Sequence, residues 1–219
     1  MSTPATSAPP ATRRRLPRAA RATAVVLAAT VLQLAVAAFV PNLAQFEGKA
    51  FGARLVAYPL MMLVVPALWW LAARRHRPGP RDVPWAAFGW VMLPFLLDVT
   101  GNTLDLYDRV WWWDDANHLV NWFFLSLGLG LLMARAAVRP AWALWLAVAG
   151  AGAALAIGWE LGEWYTFIRH GTELATAYTD TLGDEALGTL GAAVAGLVVV
   201  GLGRDRAARP AASGDPHPG

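Results

Sequence analysis

Residues 141–164 read AWALWLAVAGAGAALAIGWELGEW. No charge appears until Glu160, and a second acid, Glu163, follows three residues later between Trp159 and Trp164. An apolar run of this length matches the ~20 residues a helix needs to cross a hydrocarbon core of ~30 Å. Working outward, comparable segments run from Arg21 to Val40, Arg54 to Ala73, Trp85 to Leu104, His118 to Val138 and Asp184 to Gly203. The expected fold is therefore all-α: a polytopic membrane protein, with six transmembrane helices in one bundle over residues 21–203.

Composition agrees. Of 219 residues 57% are hydrophobic and 15% charged, against about 25% charged in soluble domains. Residues 1–20 and 204–219, rich in Pro, Ala, Ser, Arg and Gly, read as disordered tails. The first segment follows Arg13, Arg14, Arg15 and Arg18 as a signal peptide would, but its apolar run exceeds the usual 7–15 residues of a signal core; it reads as a retained helix. With no cysteine, disulfides, thiolate metal sites and cysteine nucleophiles are excluded. The basic clusters lack the aromatic-interleaved stripe of a nucleic-acid surface.

Those clusters set an orientation instead. Arg residues precede the first segment, Arg74, Arg75, Arg77 and Arg81 separate the second and third, Arg135 and Arg139 the fourth and fifth, and Arg204, Arg206 and Arg209 follow the sixth. Alternating spans put all of these on one side. The positive-inside rule makes both termini cytoplasmic in a multi-pass protein of the cell (plasma or inner) membrane. Tryptophans fall near both predicted boundaries as interfacial belts, and Trp111–Trp113 read as an interfacial turn. Small residues every fourth position, Gly150-Ala154-Gly158-Gly162 and Gly188-Ala192-Gly196, predict close packing of the fifth and sixth helices, with the fifth central.

The outward ends hold the acids. Asp114 and His118 share a helical face, as do Glu160 with Glu163 and Asp180 with Asp184. First-turn acids suit the helix dipole and caps, but two Glu at a helix C-terminus oppose it. Asp98 lies 13 residues after Trp85, ~20 Å along a helix, and Asn102 and Asp105 continue its stripe outward. An intramembrane acid requires a partner; His118 or a bound cation is the expected one, since no Lys or Arg is predicted at that depth. The ligand set Asp114, His118, Asp98, Glu160, Asp180 and Asp184 suits a divalent cation such as Mg²⁺, Mn²⁺ or Zn²⁺. Glu160, Glu163 and His118 are the candidates for catalysis.

The blocks DxxxH at 114–118, WExxEW at 159–164 and DTxxD at 180–184 resemble those of the YjdF-like inner-membrane proteins and, more distantly, the VanZ-like family linked to teicoplanin resistance. The resemblance covers about residues 85–203. It implies a polytopic membrane protein and supplies no reaction; Gly188 stands where the pattern often has Asn. Three functions stay open. One is a metal-assisted enzyme acting on a lipid or lipid-linked envelope substrate. The second is a small proton- or cation-coupled transporter with Asp98, Glu160 and Glu163 as a relay. The third is a non-catalytic accessory subunit. Oligomeric state is not legible.

Overall fold

The structure, a computed structural model, describes residues 16–40, 43–166, 168–170 and 172–208. It is all-helical: α1 (Arg18–Phe39), α2 (Phe51–Ala73), α3 (Trp85–Thr103), the single turn α4 (Leu106–Arg109), α5 (Trp113–Arg135), α6 (Ala141–Thr166) and α7 (Ala177–Ala208). Residues 1–15 and 209–219, the greater part of the expected tails, lie outside the described residues.

Among the described residues, five helices are long and apolar enough to cross a membrane: α1, α2, α5, α6 and α7 over Ala177–Arg204. The third expected span, α3, is not among them. Pro94, Asp98 and Asn102 interrupt its apolar run, and it is sheltered instead, packing on α1 and α5. Ala87, Phe88, Val91, Met92, Phe95 and Val99 are buried there, and so is the polar Asn102, so neighbouring helices cover both apolar and polar positions of α3.

Helices α2, α5 and α7 begin at Phe51, Trp113 and Ala177, upstream of the expected Arg54, His118 and Asp184. The expected boundaries stop at the first polar residue. The helices continue because helical hydrogen bonding does not depend on the apolar run: in the added turns Asn117 is buried and Asp114 lines the cavity, whereas Asp115, Tyr178 and Thr179 are exposed. Trp112 occupies the N-cap of α5 and makes no side-chain cap bond, so neither Asp114 nor Asp115 serves as its cap.

Two apolar clusters hold the bundle. Leu34 of α1, Tyr58 and Met62 of α2, and Met92, Phe95 and Val99 of α3 form one. Leu127 of α5, Leu144 and Val148 of α6, and Ala195 and Val199 of α7 form the other. Helix α5 is the central element, packing on α3, α6 and α7; the expectation that the fifth span would be central is corrected. The expected small-residue stripe on that span is corrected too. A Cβ added at Gly150, Gly158 or Gly162 meets nothing within 4 Å. The close approach is at Gly152, where a Cβ would lie 2.2 Å from Ala192 Cβ and 2.5 Å from Ser126 Oγ. The sequence of α6 is so rich in Gly and Ala that several four-residue frames look alike, and only one faces α7. On α7 the expected frame holds: Ala192 is fully buried, Gly188 abuts Trp122 and Ala156, and Gly196 abuts Trp145.

Some tryptophans match the belt reading and some do not. Trp111, Trp112, Trp142 and Trp164 are exposed, Trp111 at 90%, whereas Trp122 is core. Trp145 donates to the Ala193 carbonyl at 3.0 Å and so ties α6 to α7.

Candidate functional site

Asp98 is the hub of the first polar group. Its Oδ2 lies 3.2 Å from Arg54 Nη1 and accepts a hydrogen bond from the Tyr58 hydroxyl at 2.7 Å. Its Oδ1 accepts from the Tyr107 hydroxyl at 2.8 Å. Tyr107 arrives there because Asp105 takes a left-handed conformation, φ 60°, at the end of α3 and turns the chain back; Arg109, 2.6 Å away, holds the Asp105 carboxylate. Burial pushes the Tyr107 phenol well above its ordinary range, and the adjacent Asp98 charge pushes it further. It therefore stays a donor throughout the working pH range. The chain continues along α5: Asn117 donates to the Tyr107 oxygen, and Asn121, one turn further on, donates to Asn117 Oδ1 at 2.9 Å.

The expected partner of Asp98, His118 or a cation, is thus replaced by Arg54. That arginine sits only one turn into α2, but its long side chain reaches inward while its stem packs on apolar rings. Its guanidinium carbon lies 5.4 Å from the Phe51 ring centroid and 5.8 Å from that of Tyr58.

His118 is the hub of the second group. It is 8% exposed, Glu160 5% and Asp184 4%. Nε2 of His118 is 3.7 Å from Asp114 Oδ1; Nδ1 is 3.7 Å from Glu160 Oε1 and 3.6 Å from Asp184 Oδ1. These separations exceed a good N–H···O bond, and neither His118 Nδ1 nor Glu160 Oε1 has a hydrogen-bond partner. Among the described residues, the trios Asp114/His118/Asp184 and His118/Glu160/Glu163 each bring their ligand atoms within 4.8 Å of one another. Two ligands ~2.1 Å from one ion at a tetrahedral angle are roughly 3.4 Å apart. The spacing is therefore too wide for hydrogen bonds and close to that of a coordination shell.

The two hubs share a cavity of about 920 Å³. Arg54, Tyr58, Asp98, Tyr107, Asn117, His118, Asp114 and Glu163 line it, with Pro94, Phe95, Trp122, Leu125 and Trp159 as apolar wall. Glu160 and Asp184, both buried, are not among the lining residues. At one rim Lys49 Nζ is 2.7 Å from Asp108 Oδ2, and that hydrogen bond holds the Asp108 carboxyl below its usual range.

Of the sequence-derived candidates, five converge: Asp114, His118, Glu160, Glu163 and Asp184. Asp98 joins the arginine–tyrosine hub, and Asp180 lines the cavity as an exposed residue in the first turn of α7, outside both trios. Sequence reasoning missed Arg54, Tyr58, Tyr107 and Asn117. Arg54 and Tyr58 are four apart, as are Asn117 and Asn121, so a polar face was readable; Tyr107 comes from a loop turn whose direction no periodicity encodes.

No curated protein and no solved structure matches this chain. Residues 22–205 match a family described as predicted membrane protein (DUF2238), which is the YjdF-like family of the motif resemblance. With the match covering nearly the whole helical region, the chain belongs to the DUF2238 family of membrane proteins.

Proposed function

We propose that the protein is a six-span protein of the cell membrane, both termini cytoplasmic, which holds a divalent cation at the outward ends of α5, α6 and α7. There it would act on a lipid or lipid-linked envelope substrate. In the sequence, Arg clusters precede α1, separate α2 from α3 and α5 from α6, and follow α7, which six alternating spans would put on one side, and this supports the orientation. Helix α3 counts as the sixth span because α1 and α5 flank it.

The observation that carries the cation is the His118 hub. Several acids around one imidazole, with His118 Nδ1 and Glu160 Oε1 buried and unpartnered, are costly unless a positive charge joins them. Asp114, His118, Glu160 and Asp184 form the ligand set. Glu163 faces the cavity and is the general base. Asp98 and Asp180 fall outside this set. The ion would polarise a phosphoryl or carbonyl oxygen, or supply a nucleophilic water near neutral pH.

The transporter reading loses its deepest relay member, because Arg54 and two tyrosine hydroxyls engage Asp98. The test is turnover. Purified full-length protein is incubated with extracted envelope lipids and Mg²⁺, Mn²⁺ or Zn²⁺, and lipid products are followed by mass spectrometry. Metal-dependent products that vanish in Glu163→Gln and His118→Ala support the enzyme. Identical lipid profiles with and without protein, for every metal, overturn it.

A further inference from the structure

We infer that the cavity carries a subsite for an alkylammonium group, formed by Trp159 and Glu163 of α6 with Asp180 of α7, which takes the head group of an amine-bearing amphiphile. The inference rests on the reading of this cavity as the substrate site and names its substrate class. It does not depend on whether a metal ion is bound at the His118 hub.

Charge is the first observation. Six carboxylates line the cavity, those of Glu47, Asp98, Asp108, Asp114, Glu163 and Asp180, against two cations, Lys49 and Arg54. Both cations are committed: Arg54 lies 3.2 Å from Asp98, and Lys49 lies 2.7 Å from Asp108. Among the described residues Glu47, Glu163 and Asp180 form no ion pair with Lys or Arg. Glu163 also has Glu160 beside it, with a carboxylate oxygen of each within 4.8 Å of the other and of His118. Carboxylates that close repel unless a proton or a cation joins them, and Glu163 is the one that opens on the cavity.

The unmet polar atoms point the same way. Asn121 and His118 line the cavity, and neither Asn121 Oδ1 nor His118 Nδ1 has a hydrogen-bond partner, although His118 is only 8% exposed. An amide oxygen only accepts, and an imidazole nitrogen accepts in one neutral tautomer, so the missing partner is a donor. An ammonium brings three N–H donors, a positive charge and no acceptor. Trp159, four residues before Glu163, shares its helical face and lines the cavity too. The face of an indole attracts an ammonium within about 6 Å of the ring centroid, so ring and carboxylate serve one guest. As a base, Glu163 can take its proton from that ammonium, which breaks an N–H bond, forms an O–H bond on the carboxylate and leaves a neutral amine. Pro94, Phe95, Trp122 and Leu125 add apolar wall for a chain. The volume is at the upper end for a small-ligand pocket, about 300–1,000 Å³, large enough for a head group with the first part of its chain.

The test is binding to full-length protein in a neutral detergent at pH 7 with EDTA present, so that failure of the metal reading does not decide it. The probes are octylammonium, octanol and methylammonium. The expected result is tightest binding of octylammonium, weakened about tenfold in Glu163→Gln, as for loss of one charge-assisted hydrogen bond. The expected weakening is several-fold in Asp180→Asn and about threefold in Trp159→Leu. Asp115→Asn, at an exposed acid off the lining, is expected to bind as wild type does. If Glu163→Gln does not fold, Asp180→Asn and Trp159→Leu decide the matter. Octanol binding as tightly as octylammonium, or wild-type affinity in Asp180→Asn together with either other cavity variant, overturns the subsite. A loss in Asp115→Asn equal to that in the cavity variants shows a diffuse field and overturns it as well. Methylammonium binding as tightly as octylammonium assigns the site to a free amine and overturns the amphiphile.

Discussion

Arg54 on α2 and Asp98 on α3 form an ion pair at 3.2 Å with side chains only 16% and 15% exposed. The pair ties the first helical cluster to the polar cavity, and Tyr58 and Tyr107 complete the carboxylate's hydrogen bonding. A sheltered pair of this kind is hard to break and easy to replace. Removing one partner leaves an uncompensated charge in a sheltered site, at a cost of about 3–5 kcal/mol, whereas neutralising both costs much less. Arg54→Gln is expected to lower thermal stability in detergent by about 3 kcal/mol, with a substantial part restored in Arg54→Gln/Asp98→Asn. Equal losses in the single and double variants would show that the pair is not coupled.

Tyr107 links this pair to α5 by giving a hydrogen bond to Asp98 and taking one from Asn117. Tyr107→Phe removes both and leaves buried polar atoms unmatched, for an expected loss of about 1–3 kcal/mol. Thermal unfolding of the variant at neutral pH checks this, and an unchanged midpoint would contradict the bonded chain.

Helix packing gives a contrast within α6. Gly152→Ala drives a Cβ against Ala192 and Ser126, while Gly150→Ala meets open space. Overpacking costs about 1–3 kcal/mol, so the first is expected to destabilise and the second to be neutral or slightly stabilising. Matching melting temperatures for the two variants would show that α6 is rotated relative to the arrangement described.

The Lys49–Asp108 bridge predicts a small pH effect of definite sign. Asp108 binds its proton less readily folded than unfolded because Lys49 holds the carboxylate. Its contribution is therefore complete above the ordinary carboxylate pKa and is lost as pH falls through the lowered folded value. Half-exposure limits the effect to about 0.5 kcal/mol. Asp108→Asn should lie slightly below wild type in stability at pH 7 and converge with it in strong acid. A gap that widens in acid would contradict the bridge.

Much of the architecture is legible because lipid imposes a simple rule: long apolar runs become helices, and the runs are plain in the sequence. The exception, α3, shows the limit of that rule. Its Asp98 and Asn102 make it too polar to qualify alone, and burial against α1 and α5 is a tertiary fact. The meeting of Asp114, His118, Glu160, Glu163 and Asp184 is consistent with their places at helix ends and with the four-residue spacing of Asp114 and His118 and the three-residue spacing of Glu160 and Glu163. The partner of Asp98 did not follow, because a backbone position near a helix end does not fix where an arginine's long side chain terminates. The rotation of α6 was hidden for another reason: in a run of Gly and Ala, periodicity does not name a face.

The measurement that bears most directly on the cation site is elemental analysis of detergent-purified protein after exposure to Mg²⁺, Mn²⁺ or Zn²⁺ and removal of excess. Wild type is expected to retain about one equivalent of one of these ions, and His118→Ala and Glu160→Gln to lose it while remaining folded. An ion-free wild-type protein, or undiminished metal in both variants, would contradict the account.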